Sequence, residues 1–476
     1  MRTTHGGTGS MVAFHASALD GVGRNPALPV SLLLRLLAFD GGGDRRPPRG
    51  ALQRAGLPEA AVMVILAHRD PGVRIDFAMS AGAEPAQRAR LVDDPSPKVR
   101  VALAYGPEVY DPRTEVAPLP DAVCARLLDD PVPSVRAALL DSRNVAPSFV
   151  ASMAGHHRAA ARREAVRRAW EILPAGVRSA LLADPDPEVR RAAALGECRR
   201  DARLTAALVR DPRSAAEALR RGLLDRADAE RYVVERTHLA ALAGNPSLPA
   251  DLVARLAVDP DEAVRLAVSL RPELDEARRM AIDFTAGERD RGDGVPWVRD
   301  GLTDPAVLRR AATSGHPLLR RAAAWSPHLP PDLLSLLARV EDPVLDDLLG
   351  IHHPDTPEEV LMRVYARLGA TFSAWMAETH PRFPREGLAA RYADHPDGKY
   401  RRLAVRDPAA TPALIERLSH DPVVWTRQAA AGDPRLPLHR LLEALHVPEL
   451  ASRAGANPAL PEDAMAAVLD RAGVPA

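Results

Sequence analysis

Two short proline signatures recur along this chain, and their spacing limits what it can fold into. One is Asn/Asp/Ser-Pro-x-x-Pro, seen at Asn25–Pro29, Asn245–Pro249, Ser326–Pro330, Asp433–Pro437 and Asn457–Pro461. The other is Asp-Pro-x-x-x-Val-Arg, seen at Asp94–Arg100, Asp130–Arg136, Asp184–Arg190 and Asp259–Arg265, with a shortened copy at Asp70–Arg74. Asp421–Arg427 is a looser copy, with Trp425 near the Val position. Asp70 and Asp94 are 24 residues apart, Asp184 and Asp211 are 27 apart, and Asp433 and Asn457 are 24 apart. The longer step from Asp94 to Asp130 is 36. With 45 prolines in 476 residues, a long coiled coil is excluded, since each interior proline costs a helix roughly 3 kcal/mol. A large regular sheet is disfavoured because proline removes ladder donors. Many short helices, each restarted at a proline, satisfy both limits.

Within a repeat, Asp before Pro reads as a helix start, with the carboxylate capping free N–H groups and Pro at the first helical position. Leu-Pro is expected to start a second helix in the same way. Leu252, Val253 and Leu256 lie on one face of such a helix, as do Leu333, Leu334 and Leu337, and Leu414, Ile415 and Leu418. A shorter Ala-rich segment follows each Asp-Pro, as in Val264–Val268. One helix pair cannot bury its stripe alone, but stacked pairs can. The expected fold class is therefore all-α, an α-solenoid of roughly 24–27-residue repeats. Residues 1–23 read as a flexible N-terminal segment, 24–471 as a single repeat domain and 472–476 as a tail. Irregular insertions are expected at about 41–50, 283–300 and 358–394, the last holding Tyr365, Phe372, Trp375 and Phe383.

The unit Asn-Pro-x-Leu-Pro-x-x-Leu-Val-x-x-Leu-Ala-x-Asp-Pro-x-x-x-Val-Arg-x-Ala, best seen at Asn245–Val268, resembles the leucine-rich repeat variant family. The resemblance extends in imperfect copies over most of 24–471. It implies a right-handed superhelix in which α-helices alternate with shorter or 3₁₀ helices; HEAT-like repeats are the neighbouring alternative. The cysteine-ligated iron–sulfur cluster of a known family member is not carried over, because Cys124 and Cys198 are the only cysteines and neither is near the N-terminus. No cofactor is expected.

The regular polar feature is the arginine after Val: Arg100, Arg136, Arg190, Arg265, Arg401 and Arg427, with Arg74 and Arg320 in shorter copies. Stacked repeats would place these side chains in a ladder. Such a ladder could bind an acidic protein or a phosphate backbone. Alternatively, each guanidinium holds the loop carbonyls or capping Asp of a neighbouring repeat, and the tie to the repeat consensus favours this second reading. Acidic and basic residues balance at 63 each, arginine supplying 61 of the basic ones beside Lys98 and Lys399. That balance argues against strong non-specific binding to nucleic acid or anionic lipid. The Arg-, Ala- and Pro-rich usage suggests a GC-rich bacterial genome.

Other candidates are weaker. His316, His353 and His395 precede Pro where Asp or Asn usually sits, which reads as substitution at a cap rather than a metal site. Cys124 reads as a core residue, while Cys198, in Gly196-Glu-Cys-Arg-Arg200, has an electropositive setting that could lower a thiol pKa. No phosphate loop, HExxH, GxSxG or GxGxxG motif is present. Two distant cysteines exclude a disulfide framework, and neither a signal peptide nor a membrane span is apparent, so a cytoplasmic location is expected. The expected function is a non-catalytic protein-interaction scaffold with a protein or peptide partner. The alternative is a HEAT-like solenoid that binds nucleic acid through an Arg-lined face. No metal site and no enzymatic activity are expected.

Overall fold

The computed structural model describes residues 17–41, 46–108, 114, 116–287, 289–368 and 372–476, and within these every regular element is helical, with no strand. Most of the segment 1–23 lies outside the described residues, as do parts of the 41–50, 283–300 and 358–394 insertions. The chain forms two compact units. One contains the described residues up to Ala146 together with Pro384–Ala476, and the other contains Pro147–Phe383.

In the first unit, the Pro71–Ala78 helix packs on Pro97–Tyr105, which packs on Pro133–Asp141. Gly398–Val405, Val424–Ala431 and Ala451–Gly455 stack in the same manner. In the second unit, Leu239–Ala243 packs on Glu262–Ser269, and Pro317–Ala323 packs on Pro343–His352. The apolar stripes point inward: Leu252, Val253 and Leu256 are buried, as are Leu333, Leu334 and Leu337. Ile415 and Leu418 are buried too, while Leu414 is half-buried. Small residues line the shorter helices, so Ala322, Ala323, Ala430 and Ala431 bury almost completely. Among the described residues, 3₁₀ turns occur at Met153–Gly155 and Trp170–Ile172. Elsewhere both helices of a pair are α.

The prolines act differently at the two signatures. In Leu-Pro, the proline is the residue before the helix: Pro29, Pro249, Pro330, Pro437 and Pro461 sit at N-cap positions in extended conformation. In Asp-Pro, Asp70, Asp304 and Asp342 cap as expected, accepting backbone N–H groups of the following turn. Asp94, Asp130, Asp184, Asp259 and Asp421 do not. Their helices begin two residues later than expected, after Ser96, Val132, Asp186, Asp261 and Val423. The carboxylate instead accepts the N–H two residues on, as at Ser96 (2.9 Å) and Val132 (2.8 Å). This Asx turn leaves the other carboxylate oxygen for a neighbouring repeat.

The first unit also joins the two ends of the described chain. Residues 17–23, expected to be part of a flexible segment, are helical and bury Ala18, Leu19 and Val22. The Val30–Leu37 helix packs both on Glu59–Leu66 and on the C-terminal helix Glu462–Arg471. Buried Asn25 donates through Nδ2 to Gly455 O (2.9 Å) and Asn457 O (2.7 Å). The contact is close enough to require glycine: a Cβ at Gly21 would fall on Ser452 O, and one at Gly455 on Ala18 O and Val22 N. The residues expected to form a tail are packed here as well. Ala472 and Val474 are buried, and Arg35 donates to the Val474 and Pro475 carbonyls and to Asp470.

Candidate functional site: the arginine joints

Each consensus arginine leaves its helix beside the loop that begins that helix. The carbonyl six residues back therefore lies within reach of Nη1. Arg100, Arg136, Arg190, Arg265, Arg401 and Arg427 all make this bond, to Asp94 O, Asp130 O, Asp184 O, Asp259 O, His395 O and Asp421 O, at 2.6–2.7 Å. The other edge of the guanidinium separates them. Arg100 pairs in bidentate fashion with Asp130 of the next repeat (2.7 and 3.1 Å), and Arg401 with Asp421 (2.6 and 2.8 Å). Arg265 reaches Asp283 O (2.6 Å), and Arg427 reaches Glu449 (3.0 Å). Arg136 and Arg190 make only carbonyl bonds; their Nε and Nη2 atoms have no hydrogen-bond partner among the described residues.

Three further arginines make the same joint without the Val-Arg signature. Arg162 pairs with Asp184 (2.6 and 2.7 Å), Arg236 with Asp259 (3.0 and 2.9 Å) and Arg321 with Asp342 (2.8 and 3.2 Å). The signal that could have found them is an Asp roughly one repeat downstream. Arg74, Arg162, Arg236, Arg321 and Arg401 each pair with an Asp 20–23 positions downstream.

Most of these pairs are shielded from solvent, though the Arg236 side chain is half exposed. Side-chain exposure is 12% for Arg100 and 6% for Asp130, and 8% for each of Arg321 and Asp342. The hydrogen bond from Arg100 holds the Asp130 carboxyl below the usual carboxylate range, and the Arg162 bond does the same for Asp184. Burial raises Asp421, but the Arg401 bond and the Val423 N–H outweigh it, so its net shift is also downward. Bidentate charge-assisted bonds of this kind fix relative orientation as well as distance. A shared aspartate thus links three successive elements: Asp130 accepts from Arg100, and its own carbonyl accepts from Arg136.

Asparagine makes a second kind of joint. Asn245 Nδ2 donates to Leu219 O (2.6 Å) and Gly222 O (2.8 Å), and Asn457 Nδ2 to Ala431 O (2.9 Å) and Asp433 O (2.7 Å). Histidine substitutes at this position elsewhere. Nε2–H of His353 donates to Ala324 O (2.8 Å), and that of His380 to His353 O (2.8 Å). His316 accepts the Leu318 N–H at its helix start, stacks on Phe284 with ring centroids 4.2 Å apart, and reaches Ser269 through Nε2 (3.0 Å).

No protein-family model matches this chain, and no curated protein sequence matches it. The site must therefore be read from its own chemistry. Neither cysteine has the character of a nucleophile. Burial pushes the Cys124 thiol up to about 11, and burial also raises Cys198, outweighing the nearby Arg221 and Arg199. That corrects the expectation of a lowered Cys198 thiol: the side chain is fully buried beneath its basic neighbours. In the 358–394 insertion, Tyr365 and Phe383 pack edge-on inside, with centroids 5.8 Å apart, while Trp375 is 43% exposed. The Phe372 side chain lies outside the described residues. The 283–300 loop is tied down by Arg321 to Gly287 O and Asp290 O, and by the Trp325 indole to Arg291 O. No helix among the described residues is long and apolar enough to cross a membrane.

Proposed function

We propose that this chain is a non-catalytic protein-interaction scaffold, a right-handed α-solenoid of 24–27-residue repeats of the leucine-rich-repeat-variant type. The observation that carries the reading is the use to which the repeated polar residues are put. Most of the consensus Arg, Asp and Asn side chains are engaged between neighbouring helices, as in Arg100–Asp130 and Asn245–Leu219. A chain that spends its repeated polar residues on joints has the economy of a support. Its specificity then lies in the residues that vary between repeats. Among these are exposed apolar side chains such as Trp425, 45% exposed, and Ile172, 63% exposed. Exposed aromatic and arginine side chains are the residue types that anchor protein interfaces.

The test is cross-linking of the full chain in a lysate of GC-rich bacteria, followed by mass spectrometry. The reading is supported by one reproducible protein partner whose cross-links map to exposed, non-consensus positions and whose capture is lost in Trp425→Asp or Ile172→Asp. Repeated captures without a reproducible partner, or turnover of a small molecule by the purified chain, would overturn it.

A further inference from the structure

One arginine joint in the second unit is open. Arg320 is placed as the consensus arginines are, with Nη1 on the carbonyl six residues back, Ser314 O, at 2.8 Å. In the closed joints of Arg74 and Arg401 the accepting Asp lies 20 positions downstream. Position 340, the same distance beyond Arg320, is Val. A local insertion accounts for the change. Elsewhere a buried leucine near the end of the preceding helix stands three residues before the Asp, as in Leu127–Asp130, Leu256–Asp259 and Leu418–Asp421; here Leu337 stands five before Asp342. The displaced Asp342 is taken by Arg321 and by two N–H groups of its own helix. Glu276, the other carboxylate near Arg320, is held by the Ser314 hydroxyl (3.0 Å) and the Gly315 N–H (2.6 Å).

A cavity of about 520 Å³ opens at this place, with Ser314, Arg320, Asp332, Leu336, Arg339 and Val340 on its lining. Arg320 is half-buried there. Its Nε is sealed in, so Nη2, which has no partner among the described residues, is the edge left open to the cavity. Burial holds this guanidinium below its ordinary pKa in spite of the Asp342 and Glu276 charges nearby. A partly desolvated cation without a paired carboxylate is under-compensated. Arg339 is exposed, and its side chain makes no hydrogen bond or ion pair among the described residues. Asp332, the one carboxylate on the lining, is paired with Arg309 (2.7 Å). The charge offered to a ligand is therefore positive. Leu336, 42% exposed, and half-buried Val340 add an apolar wall beside it.

We propose that this cavity receives an acidic side chain of a protein partner, whose carboxylate accepts from Arg320 Nη2 and Arg339 while an adjoining apolar side chain lies on Leu336 and Val340. The partner's carboxylate then supplies the charge that the repeat's own Asp supplies in the closed joints, and charge-assisted bonds of this kind are the strong ones. The inference rests on the scaffold reading, from which it takes a protein as the occupant. Its test uses defined peptides, so its failure removes this cavity as a docking place and leaves capture through Trp425 and Ile172 standing.

The test is selection of a random peptide library displayed on phage against the immobilised full chain, with the enriched peptides then measured by fluorescence anisotropy. Peptides carrying Asp or Glu beside an apolar residue are expected, and replacing that carboxylate by its amide should weaken binding about tenfold or more. Arg339→Glu, at an exposed position, should weaken binding as much without changing thermal unfolding. Val340→Asp supplies the missing carboxylate from within the repeat; it should abolish peptide binding and leave the melting temperature unchanged or raised. Arg255→Glu, at an exposed arginine elsewhere in the same unit, should bind as the parent does. Failure to enrich acidic peptides overturns the proposal. So does binding that survives Val340→Asp and Arg339→Glu, or an equal loss in Arg255→Glu, which would mark general charge attraction. Displacement of the peptides by inorganic phosphate but not by acetate would overturn it in favour of a phosphate site.

Discussion

The side-chain amide of Asn25 donates to the backbone carbonyl of Asn457 across 432 positions of sequence, at 2.7 Å. Asn457 in turn donates to Ala431 O and Asp433 O, one repeat back. The first asparagine thus treats the last repeat as though it were its predecessor. In an array joined only to sequence neighbours, the terminal repeats leave apolar faces and polar backbone uncovered. In this unit the two ends cover each other.

This joint predicts coupled behaviour of the chain ends. Asn25→Ala should cost about 1–3 kcal/mol, because two buried carbonyls lose their donor. Gly455→Val should be worse, since its side chain would meet Ala18 O and Val22 N. The distinguishing measurement is hydrogen exchange followed by mass spectrometry. Protection should fall together in 17–40 and 447–476. A loss confined to the mutated end would show that the ends are not coupled.

The arginine joints predict a contrast between shielded and exposed pairs. Arg100→Ala strands the buried Asp130 carboxylate and should destabilise by about 3 kcal/mol or more. Asp130→Ala should do similar damage, and the double variant should recover part of the loss, as expected for directly coupled partners. Arg126 pairs with Asp93 at the surface, both more than half exposed, and Arg126→Ala should leave stability nearly unchanged. Denaturant midpoints at constant slope would measure all four.

Much of this was legible in the chain itself, and the exceptions have physical causes. Helix pairs, inward leucines and the positions of the arginines follow from local periodicity and punctuation, which a single sequence displays. The Asp-Pro starts were misplaced by two residues at Asp94 and Asp130 because Asp-Pro suits both a cap and an Asx turn, and nothing local separates the two: Asp342 caps its helix while also pairing with Arg321, whereas Asp94 forms the Asx turn while pairing with Arg74. Arg162 and Arg236 escaped notice because their partners are set by stacking rather than by a neighbouring Val. Nothing local announces that Gly21 and Gly455 face each other.

Acidification should weaken the second unit before the carboxylates titrate. Burial pushes His316 down to about 4, helped by Arg279 and Arg320, and burial pushes His352 to the same level. A folded-state pKa below the ordinary 6.5 means that the unfolded chain binds protons first. The neutral imidazoles therefore contribute fully above pH 6.5, and that contribution declines as pH falls toward 4. The aspartates have the opposite timing. Their depressed folded pKa values preserve the joints until pH drops below about 4. Melting temperature should accordingly fall in two phases. His316→Asn, which can still accept the Leu318 N–H, should flatten the first phase and leave the second.

Binding to duplex DNA across a salt series separates the scaffold reading from a nucleic-acid-binding solenoid. A ladder gripping phosphates would release counterions, and its affinity would fall steeply with salt. Arg100 and Arg401 are closed into bidentate pairs, so neither has a free edge to offer a phosphate. Only Arg136 and Arg190, among the six consensus arginines, have both Nε and Nη2 unbonded. Two such contacts, in separate units, are too few for a steep dependence, since the slope scales with the number of phosphates neutralised. The expected outcome is weak binding with a shallow slope, unchanged in Arg136→Gln and Arg190→Gln. A slope of many phosphates, abolished by those two substitutions, would instead make the arginine ladder a nucleic-acid surface.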